Sequence, residues 1–393
     1  MKKYNIPFSG RAHSFIDSEI KTVLDVMQSA DPLTQGKHRN QFETRFIDFQ
    51  GGTGQAYAMG CATDALEIVA QLCQFSPGDE FIIPAHTYTA SCYPFIKKGG
   101  SPVWSDIDLQ SRVVTADTIE KCLTSRTKVI VVVHLYGYVV EMEPILELAK
   151  ANDLLVVEDS AQAIGAKYKN QRAGTIADFG IFSFHSHKNI STLGEGGMLW
   201  VRDQKYVNLI PMLRHNGHCT FDFEREDYWV PAMGNVDLPE LNGNPLMPNN
   251  CCLGEVECAL GEELLKRVDE INTEKRRRAL MFIDDLQDFS ELEFHREDSE
   301  RHNYHLLVAR LINGKRDQFI RTMAQQHSIQ CVVQYYPLNR YDLYQKLGFQ
   351  MANLPNTDEF FDNMVSFPFQ QTLTEADLSY MLECTRKVLR SLG

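Results

Sequence analysis

Seven short runs of β-branched and aromatic residues, spaced by amphipathic stretches, constrain this chain more than any other feature. They are "QAYAMG" (55–60), "EFIIPA" (80–85), "PVWSDI" (102–107), "KVIVVVHLYG" (128–137), "LLVVEDSA" (154–161), "FGIFSF" (179–184) and "GMLWV" (197–201). Most are nearly continuous in apolar side chains, as strands buried on both faces are. Stretches such as "TDALEIVAQLCQF" and "EMEPILELAKANDL" place apolar residues at helical spacing between them. This alternation implies an α/β fold with a mostly parallel sheet covered by helices on both faces, filling roughly the first 200 residues.

The pattern changes near residue 250. "EVECALGEELLKRVDEINTEKRRRALMFIDDL" reads as one long helix, with "KRRR" on a solvated face. Two strand candidates follow, "NYHLLVARL" (303–311) and "QCVVQYYPL" (330–338), then a last helix through "EADLSYMLECTRKVLRSL". The expectation is a large α/β domain over 1–250 and a smaller α+β domain over 251–393. Residues 219–247 form an aperiodic polar and aromatic insert, expected to be an ordered loop.

A hydrophobic share of 44% excludes disorder as the main state, and a net charge of −13 argues against nucleic acid or an anionic membrane as partner. The N-terminus lacks the apolar run of a secretory signal, and the longest apolar run is too short to span a bilayer. Ten scattered cysteines without a CxxC pair suit reduced thiols in the cytoplasm. Cys251, Cys252 and Cys258 read as packed thiols rather than metal ligands. His185 and His187 flank one residue, but with no cysteine or acidic partner close in sequence they read as site-lining rather than metal-binding. No metal is expected, and Arg214 reads as a structural or rim charge.

In such sheets ligands bind beyond the carboxyl ends of the strands. Glu158 and Asp159 end one run, Ser183 lies near the end of another, and Lys188 follows five residues later. Cys61, Ala62 and Thr63 sit where a strand turns into a helix, and a helix N-terminus binds phosphate readily. Tyr88 lies just past a further strand end. A lysine, a carboxylate, a phosphate turn and an aromatic ring together suit pyridoxal 5′-phosphate. Lys188 would hold its aldehyde, Asp159 would keep its ring nitrogen protonated, and Tyr88 would stack on its face.

These residues lie in segments that resemble, in order and over nearly the whole chain, the DegT/DnrJ/EryC1/StrS family of sugar aminotransferases. The segments are "CATDAL", "PAHTYTAS", "VHLYG", "VVEDSAQAIGA", "AGTIADFGIFSFHSHKNISTLGEGG", "RHNG", "NNCCLGEVECALG", "YYPL" and "VSFPF". The resemblance implies the aspartate aminotransferase fold type, with Lys188 as the Schiff-base lysine and Asp159 as the pyridine partner. It further implies that Gln162 bonds the ring hydroxyl, and that Ala62, Thr63 and Ser183 bind phosphate. Asn250 would reach the phosphate of a neighbouring subunit, which makes a homodimer the smallest complete unit. The implied substrates are glutamate or glutamine and a keto sugar, expected to be nucleotide-linked. Where the family usually has Ser or Asn, Gly and Thr, this chain has Cys61, Ala62 and Thr63, and alanine would be strained at a positive φ. Cys252 stands where the family often has a longer side chain.

Three other functions would leave different marks in the sequence. A sugar dehydratase of the same family would carry histidine in place of Lys188. A non-catalytic regulator would be expected to lose the lysine or the aspartate. A nucleotide-binding dehydrogenase needs a GxGxxG turn after its first strand, which this chain lacks.

Overall fold

Alternate residues of a strand face opposite ways, so a sheet covered on both sides divides each strand between two packing layers. The computed structural model, which describes residues 4–220, 234–312, 314–349 and 351–392, shows that division. All seven expected strands are present: β1 (Gln55–Met59), β2 (Glu80–Pro84), β3 (Ser101–Ser105), β4 (Thr127–Val133), β5 (Leu155–Asp159), β6 (Phe179–Ser183) and β7 (Gly197–Val201). They form one mixed sheet in the order β1-β7-β6-β5-β4-β2-β3. Five strands, from β6 through β3, run parallel, and β7 lies antiparallel to both its neighbours.

On one face Tyr57, Ile181 and Leu199 pack with α3 (Ala62–Leu72) and α4 (Met142–Ala151). On the other, Ala58, Phe182 and Trp200 pack against Phe42 and Phe46 of α2 (Lys37–Phe49), which follows α1 (Asp17–Ser29). Leu260 and Leu264 of α5 (Glu255–Leu265) join that second layer. Burying a side chain of this size contributes about 1.5–3 kcal/mol, so these two layers hold the strand ends in place.

The expected single long helix is two helices, α5 and α6 (Val268–Asp284). The chain tightens between them: the N–H groups of Lys266 and Arg267 donate to the carbonyls of Glu263 and Leu264, three residues back. The turn buries Val268 under the sheet and frees Arg267 to pair with Glu19. The "KRRR" face is not uniformly solvated either. Lys275 is buried and donates to the carbonyl of Phe369 at 2.8 Å.

The smaller α+β part has a three-stranded antiparallel sheet, β8 (Leu292–Phe294), β9 (Leu307–Leu311) and β10 (Met364–Phe367), with β9 central. Helix α7 (Glu375–Leu392) packs in its core, and so does Ile6 from the other end of the chain. The strand expected at 330–338 is absent apart from one bridge, Val332 to Ser366. The Gln334 carbonyl accepts from the Tyr136 hydroxyl at 2.7 Å, a side-chain bond in place of a strand partner. Residues 221–233 of the insert lie outside the described residues, and its flanks form two short ribbons, 218–219 with 235–236 and 240–241 with 244–245.

Candidate active site

The ends of β4, β5 and β6 open into a cavity of about 650 Å³, a ligand-sized volume. Of the expected residues it brings together Cys61, Ala62, Thr63, Tyr88, Asp159, Gln162, Ser183 and Lys188. Asn250 is exposed and does not line the cavity of its own chain.

The neighbouring carboxylates of "VVED" face opposite ways, as strand pleating requires. Glu158 is fully buried and accepts from the N–H groups of Gly174, Ile176 and Ala177, at 2.9, 2.6 and 2.6 Å. It also pairs with His134 at 2.9 Å. Asp159 turns into the cavity instead. Its Oδ2 accepts from the Ser91 hydroxyl at 2.6 Å and its Oδ1 from the Ala161 N–H at 3.1 Å. These two donors fix the carboxylate plane. Ser91, within "PAHTYTAS", went unrecognised in the sequence because a serine in a short turn has an ordinary local reading.

Lys188 leaves the strand end through a turn in which its N–H donates to the His185 carbonyl at 2.8 Å. Burial lowers its ammonium pKa to about 8, and the opposing pull of Asp159 does not cancel that effect. The loop is held from outside: Ala12 donates to the Ser186 carbonyl at 2.9 Å and Gln371 Nε2 to the Asn189 carbonyl at 2.8 Å. The N-terminal segment around Phe8 and Ala12 also lines the cavity, a contribution that the sequence gave no sign of.

Cys61 is the N-cap of α3, with extended backbone at φ −159°. Its Sγ accepts from the Asp64 N–H at 3.4 Å, while its own N–H donates to Asp64 Oδ2 at 3.1 Å. This reciprocal capping leaves Ala62 as the first helical residue, and Ala62 is not among the residues with positive φ. The strain expected at that alanine is therefore absent. First-turn N–H groups have no acceptor inside the helix, which suits Ala62 and Thr63 to an anion. The Ser183 hydroxyl, in the same cavity, accepts from the His185 N–H at 3.3 Å.

Gln162 spans the floor: Oε1 accepts from the Tyr136 N–H at 2.7 Å and Nε2 donates to the Tyr335 hydroxyl at 3.1 Å. Burial pushes the Tyr335 phenol up to about 12, so it stays protonated. Tyr88 keeps an open face, 56% exposed, with its ring 5.9 Å from that of Tyr335. Tyr335 and His305 reach the cavity from the smaller sheet's side. Sequence reading missed both because each lies in a run that looked like an ordinary strand.

Among the described residues no group of three or more His, Cys, Asp or Glu could hold a metal ion. The Cys251 and Cys252 thiols both contact the Arg214 carbonyl, at 3.6 and 3.5 Å. Arg214 is buried, pairs with Glu43 and donates to the Ala58 carbonyl at 2.9 Å, a structural charge. No helix among the described residues is long and apolar enough to cross a membrane.

Known proteins are similar to this chain over nearly its whole length. The spore coat polysaccharide biosynthesis protein SpsC of Bacillus subtilis is 28% identical over 98% of this chain and 97% of its own length. The GDP-perosamine synthase of Caulobacter vibrioides is 30% identical over 93% of this chain and 94% of its own. A putative sugar aminotransferase of Streptococcus pneumoniae, solved in a PMP form, superposes with a TM-score of 0.86 at 27% identity, covering 99% of this chain and 100% of that one. It has also been solved in a PLP form. The model of the DegT/DnrJ/EryC1/StrS aminotransferase family matches residues 14–386, and the chain belongs to that family.

Proposed function

We propose that this protein is a pyridoxal 5′-phosphate-dependent sugar aminotransferase that moves an amino group from glutamate or glutamine to a nucleotide-linked keto sugar. The observation that carries the reading is one cavity lined together by a lysine of lowered pKa, an oriented carboxylate and the capped start of a helix. The cofactor is pyridoxal 5′-phosphate, and its PLP and PMP forms are both known in structural relatives. When bound, it supplies an electron-withdrawing ring that carries the amino group between the two substrates.

The chain's own residues fit that group. Lys188 would hold the cofactor's aldehyde through Nζ and would move a proton at that atom, which an amine of pKa about 8 can do near neutral pH. Asp159 would meet the ring nitrogen and keep it protonated. Gln162 retains a second Nε2 hydrogen for the ring hydroxyl, since the other goes to Tyr335. Cys61, Ala62, Thr63 and Ser183 would hold the phosphate, and Tyr88 would cover the ring. Asn250 of the partner subunit completes the phosphate site, so the working unit is a homodimer with shared sites.

The GDP-perosamine synthase likeness supports a nucleotide-linked sugar, and the SpsC likeness supports a role in amino sugars for surface polysaccharide. Ten free thiols suit a cytoplasmic enzyme. The test incubates the protein with glutamate or glutamine and a panel of nucleotide-linked keto sugars, and reads products by mass and NMR. Borohydride should fix the cofactor on the peptide containing Lys188. Trapping on another lysine, or no amino sugar from any member of the panel, would overturn the reading.

A further inference from the structure

A chain of amides behind Lys188 fixes the protonation of a histidine in the same cavity. Asn272 Nδ2 donates to the Ile164 carbonyl at 2.8 Å, a group that can only accept. Asn272 Oδ1 is thereby the acceptor for Asn189 Nδ2, at 2.9 Å. Asn189 Oδ1 is then what faces His305 Nδ1, at 3.3 Å, and an amide oxygen cannot donate. His305 must carry its proton on Nδ1, which leaves a lone pair on Nε2. Burial, together with the charges of Lys188 and Lys275, holds the imidazole well below its ordinary pKa, so it stays neutral.

His305 is 5% exposed and lines the cavity with Lys188 and Asp159. Among the described residues its Nε2 has no hydrogen-bond partner. The ring is also held by its backbone. The His305 N–H donates to Asn303 Oδ1 at 2.9 Å, and Asn303 Nδ2 donates to the carbonyls of Gln162 and Ile164, at 3.0 and 3.1 Å. An acceptor held this firmly and open to a ligand-sized cavity is placed to take a hydrogen bond from the ligand.

We propose that His305 is a specificity-determining residue whose Nε2 accepts a hydrogen bond from a hydroxyl of the keto sugar, an inference that rests on the sugar transamination proposed above. The two substrates use one cavity in turn, and they differ in what they offer a fixed lone pair. Glutamate presents two carboxylates, which only accept, and its one donor is the amine being transferred. A sugar presents several hydroxyl donors. His305 therefore favours the sugar half of the cycle and contributes little to the glutamate half.

Two substitutions separate this role from a structural one. His305→Asn keeps an amide donor near Asn189 but removes the acceptor at Nε2, whereas His305→Gln returns an amide oxygen to about that reach. Each half-reaction is followed by the visible absorbance of the bound cofactor, lost with glutamate and restored by the keto sugar. His305→Asn should raise the KM for the keto sugar roughly 5- to 100-fold, the effect of leaving a buried hydroxyl unpaired, with the glutamate half-reaction within about 2-fold of wild type. His305→Gln should recover most of that loss. A parallel fall in both half-reactions, or an unchanged sugar KM, would overturn the proposal. If wild-type protein aminates α-keto acids but no sugar, the failure lies in the proposed function itself and removes this inference with it.

Discussion

Lys188 and Lys275 carry the same physical problem to different ends. Each is an ammonium taken out of water, with its pKa lowered by burial to about 8 and about 7 respectively. A buried cation with a lowered pKa costs stability while it is charged, and that cost is relieved as pH rises from the folded to the unfolded pKa. Cofactor-free protein should therefore gain stability with pH across about 8 to 10.5 through Lys188, and across about 7 to 10.5 through Lys275. Cofactor-free Lys188→Ala should melt above cofactor-free wild type at pH 7, by on the order of 1–2 kcal/mol, with the advantage fading towards pH 10.5. Scanning calorimetry at several pH values reads this, and a variant less stable at pH 7 would contradict it. In the proposed transamination the same lysine would do chemistry. Lys188→His should stay folded and bind pyridoxamine phosphate, yet lose transamination by at least about 10²–10⁴-fold, the scale of acid–base catalysis alone. Near wild-type turnover would show that another residue carries the reaction. That Lys188, Asp159 and the turn at 61–63 meet in one cavity was legible because their neighbours in sequence are strand ends. Ser91, Tyr335 and His305 were not, since only folding brings them to that cavity.

At the scale of elements, the sequence reading located every strand of the large sheet, since most are buried on both faces and carry a nearly continuous apolar signal. It failed where burial was shared. The α5–α6 break is invisible in a pattern that stays helical on both sides, and the segment at 330–338 is apolar because it packs beside the cavity rather than because it pairs. The contact between β7 and the start of α3 is equally hidden in sequence, and it has a sharp consequence. A Cβ on Gly197 would fall 2.5 Å from the Cys61 carbonyl carbon and 2.6 Å from the Ala62 nitrogen, both backbone atoms. Neither can move without moving the turn at 61–63, the proposed phosphate site. Gly197→Ala should weaken cofactor binding by roughly 10-fold or more, the order of overpacking a well-filled site. The readout is a cofactor titration by absorbance. Cys61→Ser should act in the opposite sense, because a hydroxyl caps the Asp64 N–H better than a thiol does, with a gain of a few-fold in the same titration. An unchanged affinity in Gly197→Ala would mean that the turn does not hold the phosphate.

At the scale of the whole molecule, the cavity joins parts of the chain that are far apart in sequence. Ile6 is buried in the small-domain core, Ala12 pins the loop that carries Lys188, and His305 and Tyr335 line the same space as the large-sheet ends. Asn250 is the exception. It is exposed, it lies outside its own chain's cavity, and its local backbone pairs with His215 in a bridge that holds it at the surface. The proposed homodimer gives that position a role, and the role can be tested without an assumed interface geometry. In a symmetric dimer each site would take Lys188 from one subunit and Asn250 from the other. Lys188→Ala alone should be inactive, and Asn250→Ala alone should bind cofactor about 10-fold more weakly, for the loss of a hydrogen bond to a charged phosphate. Mixed and re-equilibrated in equal amounts, the two variants form hybrid dimers as about half the population. Each hybrid has one site with both defects and one with neither. At a cofactor concentration too low to fill the Asn250→Ala site, activity should return to about a quarter of wild type. If Asn250 serves its own subunit instead, every site keeps a defect and mixing restores nothing, and sedimentation of the mixture confirms that hybrids had formed.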